Sequence, residues 1–203
     1  MINVKNIKTL ALLVLAMAVL LAACSSEWSP GNNTVANDGT IAFYNGVSMN
    51  QLADTNVLET RETVVFGGEE ALRSIYECRV GEDLFFVLQI SRENGFKQAL
   101  ESTTPDDFEE AMQSFANGLT GSFESLLPDA NISNPEITLL EKTSSSEEKF
   151  VDSTWIYTIT YSNVTLKVHV RLIVSQNDVI AVYGYQAPDH LFMDGLMDKI
   201  VIG

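Results

Sequence analysis

Cysteine is nearly absent from this chain, which has only Cys24 and Cys78. Two cysteines allow one disulfide at most and no network of them, and a tetrahedral thiolate metal site is excluded as well. Histidine is equally sparse: with only His169 and His190 present, no histidine-based metal site is evident. The motifs of common chemistry are also missing. There is no calcium-binding loop, no GxSxG, no HExxH and no glycine-rich phosphate loop. These absences count against the common hydrolases and nucleotide enzymes, and no cofactor is implied. Positive charge is scarce too, with 12 Lys and Arg against 27 Asp and Glu, a net charge of −15. Such a chain repels nucleic acid and anionic lipid head groups.

The first 23 residues carry no acid. Lys5 and Lys8 precede an unbroken apolar run, Leu10 to Leu21, and small residues follow it. Basic, apolar, small is the layout of a secretory signal peptide. Even extended to Ala23 the run has 14 residues. A spanning helix needs roughly 20, at about 1.5 Å of rise each. An uncleaved membrane helix is the competing reading. Leu21-Ala22-Ala23-Cys24 resembles the bacterial lipobox, and Ser25-Ser26 follow it. That resemblance implies lipidation of the Cys24 thiol, cleavage before it, and a protein anchored at the outer face of a membrane. Ordinary secretory cleavage is the alternative. Without residues 1–23 the side chains total 10 basic against 27 acidic, a net of −17. Cys78 is then left without a partner. It lies in the apolar-rich run Ile75-Tyr76-Glu77-Cys78, which predicts a buried small hydrophobe.

Residues 24–39 carry Gly, Asn, Ser and Pro without apolar periodicity and read as a flexible tether. A segment of this length spans on the order of 20 Å root-mean-square. Residues 40–203 then form a single domain. Ile41 to Tyr44 predicts a short strand ending at Asn45-Gly46, and residues 57–66 predict another, closed by Gly67-Gly68. Residues 69–79 suit either a helix or a strand. The run Leu84 to Ile90 after Gly81 favours a hairpin. Thr104, Pro105, Asp106 and Asp107 are a helix start: a hydroxyl cap, proline in the first turn and early acids. Phe108, Met112, Phe115, Leu119, Phe123 and Leu126 recur three and four apart, predicting a long helix that ends at Pro128.

Ser144 to Glu148 reads as a hairpin loop. Phe150–Tyr161, Val164–Val174 and Val179–Tyr185 alternate as three strands with short connections, hence antiparallel. Trp155, Tyr157 and Ile159 share a core face, as do Val168, Val170 and Leu172. Lys167, His169 and Arg171 lie opposite, on a face predicted to be at least partly wet. Phe192, Leu196 and Ile200 predict a terminal helix over Asp189–Val201.

The expected fold class is therefore α+β: an antiparallel sheet covered by a long central helix and a C-terminal helix. The early Asn45-Gly46 segment, the helix from Pro105, the meander from Trp155 to Tyr185 and the closing helix together resemble the Mog1/PsbP-like sandwich. That family has many small bacterial lipoproteins, and the resemblance implies a module that binds partner proteins rather than a catalyst.

Lys167, His169 and Arg171 form the one concentrated cationic stripe, suited to a carboxylate, a phosphate or an acidic partner. The competing role is cross-strand pairing with acids. Asp106, Asp107, Glu109 and Glu110 suit a helix start and solvent. Asp194 and Asp198, four apart, read as a solvated face. The sequence thus points to a surface-tethered, non-enzymatic binding or accessory module of the cell envelope, with an envelope protein as a possible partner. The alternatives are an envelope hydrolase with an unrecognised site and a small-ligand-binding lipoprotein.

Overall fold

The computed structural model describes residues 40–49, 56–66, 68–80, 83–109, 111–113, 116, 136–161, 164–187, 189 and 199–202. The strands of the first half are β1 (Ile41–Ala42), β2 (Ser48–Met49), β3 (Asn56–Phe66), β4 (Glu69–Val80) and β5 (Asp83–Ser91), the longer ones rich in β-branched and aromatic residues. After an intervening stretch come β6 (Glu136–Ser146), β7 (Phe150–Tyr161), β8 (Val164–Ser175), β9 (Asp178–Gln186) and β10 (Ile200–Val201). The large sheet runs β3-β4-β5-β9-β8-β7-β6, and every neighbouring pair is antiparallel. A small sheet, β1-β2-β10, pairs Met49 with both Ile41 and Ile200.

The large sheet buries residues on both faces. On the first face, Leu88, Ile90, Val170, Leu172, Ala181, Trp155 and Tyr157 join one apolar cluster, with Phe96, Phe108, Ala111 and Met112 packed over them. Tyr157 and Tyr183 are both 3% exposed, so the aromatic face is core and not a docking surface. The Tyr157 hydroxyl donates to the Met112 carbonyl at 3.1 Å, which pins the helical run to the sheet. On the second face, Tyr76, Cys78, Phe85, Val87 and Val182 pack against Ile41, Phe43, Val47, Met49 and Ile200. Cys78 is fully buried there, and burial pushes its thiol far above the ordinary range, so it stays protonated.

The expected α+β layout is overturned, because the described protein is predominantly antiparallel sheet. The one α-helix with described bounds is α1 (Lys97–Ser102), and Pro105–Asp107 is a 3-10 turn. Thr104 and Asp107 form its capping box: the Thr104 backbone N–H and hydroxyl both donate to Asp107 Oδ2, at 2.8 and 2.9 Å. Helical residues follow at Phe108, Glu109, Ala111, Met112, Gln113 and Ala116. The rest of the predicted central stripe lies outside the described residues.

The predicted C-terminal helix fails at its end, where Ile200 and Val201 are extended and pair with β2. Four-residue spacing was compatible with a helix, but β-branched Ile200 and Val201 suit a strand, and β2 offered an edge to complete. Residues 190–198, with Phe192, Leu196, Asp194, Asp198 and His190, lie outside the described residues. Residues 69–79 are strand. Ser144 to Ser146 belong to β6, and the β6–β7 turn falls at 147–149.

Candidate ligand-binding cleft

One end of the sandwich is organised around the turn Tyr44–Gly46. Asn45 (φ 59°) and Gly46 (φ 77°) both adopt the left-handed region. Few residue types accept that conformation cheaply, and Asn followed by Gly is the common solution. The turn is bolted to the large sheet by side chains from three strands. The Tyr44 N–H donates to Tyr76 Oη at 2.9 Å. Gln89 Nε2 donates to the Tyr44 carbonyl at 2.8 Å. Asn45 Nδ2 donates to Asp178 Oδ2 at 3.1 Å. The guanidinium of Arg61 lies 5.1 Å from the Tyr44 ring centre, held between that ring and Glu59.

Asp178 is the centre of this network and is 2% exposed. Its Oδ1 accepts from Gln89 Nε2 at 2.9 Å and from the Ser91 hydroxyl, while Oδ2 takes Asn45. Burial pushes the carboxyl above its ordinary range, and the donors from Ser91, Gln89 and Asn45 pull it back. Gln89 Oε1 is buried beside it without a hydrogen-bond partner.

The β8–β9 turn is tied to the segment after β5. The Arg92 N–H donates to the Asn177 carbonyl (2.9 Å), the Phe96 N–H to the Gln176 carbonyl (3.0 Å) and the Asn94 N–H to Asn177 Oδ1 (2.9 Å). Arg92 spans the same junction. It pairs with Glu69 at 2.8 Å, donates to the Gly95 carbonyl at 2.7 Å, and stacks on Phe96 at 5.4 Å. Gly95 is required here, since a Cβ on it would sit 2.1 Å from Arg92 Nε.

Two clefts open on this junction. One of about 550 Å3 is bordered by Tyr44, Glu70, Ser91, Arg92 and Glu93; the other, of about 370 Å3, by Glu148, Lys149, Gln176 and Asp178. Asn45 and Asn177 line both. Their volumes fall within the range of small-ligand sites, about 300–1,000 Å3.

The cationic stripe lies elsewhere, on the second face of β8. Arg171 is 7% and His169 1% exposed, so this face is drier than its alternation predicted. Arg171 Nε donates to Asp152 Oδ2 at 2.5 Å, and Asp152 also accepts from the Ser145 hydroxyl. His169 Nε2 is 3.3 Å from Gln186 Nε2. Lys167 is half-buried and registers opposite Thr158 and Gln186. Neither cleft is lined by any of these three residues. Cys24 lies outside the described residues. Among the described residues, no helix is long and apolar enough to cross a membrane, and no group of three or more His, Cys, Asp or Glu is placed to hold a metal.

Sequence reasoning treated Asn45-Gly46 and Ser175–Asp178 as turns and missed that they meet. The available signal was an acid, Asp178, opening an otherwise apolar strand.

No family model and no curated protein matches the chain. Among solved structures it is similar to cyanobacterial PsbP (CyanoP) from Synechocystis sp. PCC 6803, at 12% identity and a TM-score of 0.48, over 87% of this chain and 99% of that one. A protein of unknown function from Pseudomonas aeruginosa, PA94, is 11% identical with a TM-score of 0.29, over 75% of this chain and 85% of that one.

Proposed function

We propose that this chain is a non-enzymatic binding module, held at the outer face of a membrane by lipid on Cys24, that meets an envelope ligand or protein. The observation that supports it is the double cleft around Asn45 and Asn177, whose walls are fixed in advance by hydrogen bonds. A site built this way loses little conformational freedom on binding. Its buried carboxylate suits a framework role better than a catalytic one, because Asp178 already accepts from Gln89, Ser91 and Asn45. The lipobox-like segment Leu21-Ala22-Ala23-Cys24 supports the anchor. Two acyl chains hold a protein stably at a bilayer where one does not. The anchor would keep so acidic a domain beside a surface that it otherwise avoids.

Two measurements test the reading. Cys24→Ser should abolish incorporation of labelled fatty acid and move the protein out of the membrane fraction; unchanged fractionation rules the anchor out. Binding is tested by thermal unfolding of the full chain against a panel of envelope polymers and small solutes. A saturable rise in Tm that Asn177→Ala removes supports a binding module, and a panel without effect counts against it.

A further inference from the structure

We infer that the double cleft is one groove for a neutral oligosaccharide, an inference that rests on the binding-module reading and specifies its ligand. Three observations carry it. First, the two clefts share Asn45 and Asn177, so they are adjoining wings of about 550 and 370 Å3 with an amide pair between them. That shape suits a linear ligand of several units better than a single compact solute.

Second, the groups it offers are planar and polar. Asn45 uses its Nδ2 on Asp178, which leaves Oδ1 as an acceptor; Asn177 uses its Oδ1 on the Asn94 N–H, which leaves Nδ2 as a donor. Glu70 and Glu148 add exposed carboxylates to the two wings. Adjacent sugar hydroxyls each donate and accept, so they match such mixed, fixed donors and acceptors. Third, Tyr44 lines the larger wing and is 37% exposed, although Arg61 holds its ring. The electron-rich face of an aromatic ring attracts the weakly positive C–H surface of a pyranose.

The same features weigh against other ligands. Acyl chains need a predominantly apolar lining, and here Ala71, Leu72, Leu100 and Ile202 are outnumbered by Asn, Glu, Ser, Thr and Arg side chains. Phosphate needs uncommitted cations. Arg92 is already engaged by Glu69, the Gly95 carbonyl and Phe96, which leaves Lys149, next in sequence to the carboxylate of Glu148, as the one cation among the described residues lining the smaller wing.

The experiment is calorimetric titration of the full chain, in a detergent without a sugar headgroup, with cellohexaose and chitohexaose. Inorganic phosphate and an extended hexapeptide serve as competing probes. At least one hexasaccharide should bind saturably. Tyr44→Ala and Asn177→Ala should each weaken it by about tenfold or more, while Tyr44→Phe keeps the ring and the affinity. Leu139→Ser, on β6 and away from both clefts, should leave binding unchanged, and thermal unfolding verifies that each variant is folded. Hexasaccharide binding that is insensitive to Tyr44→Ala and Asn177→Ala in folded protein overturns the inference. So does binding of phosphate or peptide alone, which leaves the binding-module reading intact and rejects the saccharide. If none of the four probes binds, the saccharide inference fails, and the broader panel decides the binding-module reading separately.

Discussion

The two faces of the seven-stranded sheet are built by opposite rules. The first is a continuous apolar layer, in which Trp155, Tyr157, Leu172 and Ala181 meet a helical run through Phe108 and Met112. Its cohesion is non-directional and scales with apolar area removed from water. The second face is a mosaic. Apolar rows at Tyr76, Val87 and Val182 take the small sheet, but Asp178 with Ser91 and Gln89 forms a polar patch at one end, and Arg171 with Asp152 forms another on β8 and β7. Buried polar groups there contribute only if every partner is in place. The apolar face therefore supplies stability that tolerates repacking, and the mosaic face supplies positional definition, which a binding cleft needs.

Substitutions at matched depth test that division. Removing one partner of the buried pair should cost the most: Arg171→Met leaves Asp152 uncompensated, at about 3–5 kcal/mol in urea unfolding. The double variant Arg171→Met/Asp152→Leu should recover most of that loss. If it is as unstable as the single variant, the polar patch does more than satisfy itself. On the apolar face, Trp155→Ala should cost a similar amount, about 3–5 kcal/mol, with no single second-site change expected to restore it.

The smallest effect concerns Asp178. Its folded carboxyl titrates above the reference value of 3.8, so the folded state holds the proton more tightly than the unfolded chain. Its contribution to stability is complete below that reference value and is lost as pH rises through the folded value. Relative to Asp178→Asn, the native chain should therefore lose Tm as pH rises from the reference value of 3.8 through the folded value. A relative gain over that range would show that the three hydrogen bonds outweigh burial.

Much of the large sheet was legible because its signal is local. Strict alternation along Val164–Val174 names the core face of β8, and Val168, Val170 and Leu172 are all buried there. β6 was missed because Glu136–Ser146 has no such alternation. It lies at the sheet edge, with Leu139 and Leu140 exposed and a register shift between Leu139 and Glu141. β1, β2 and β10 are two residues each, too short for any period to show. The predicted wet face of β8 was wrong for a different reason. Arg171 and His169 meet Asp152 and Gln186, 19 and 17 positions away; cross-strand pairing with an acid was the competing expectation for this stripe, but the pattern of β8 alone does not name the partners. The cleft was illegible on the same grounds: Asn45 and Asp178 are 133 positions apart.

The strand order has a consequence for how the chain assembles. β3-β4-β5 is one meander and β6-β7-β8-β9 is another, each made of sequence neighbours. They are joined along a single seam, β5 against β9, which brings Leu88 opposite Ala181. Local hairpins close small loops and form readily, whereas the seam closes a loop of roughly 90 residues and carries the larger entropic cost. Asp178 opens β9 and sits across from Ser91 at one end of that seam. Completion of the cleft therefore requires closure of the sheet, and a half-assembled chain holds no preformed site.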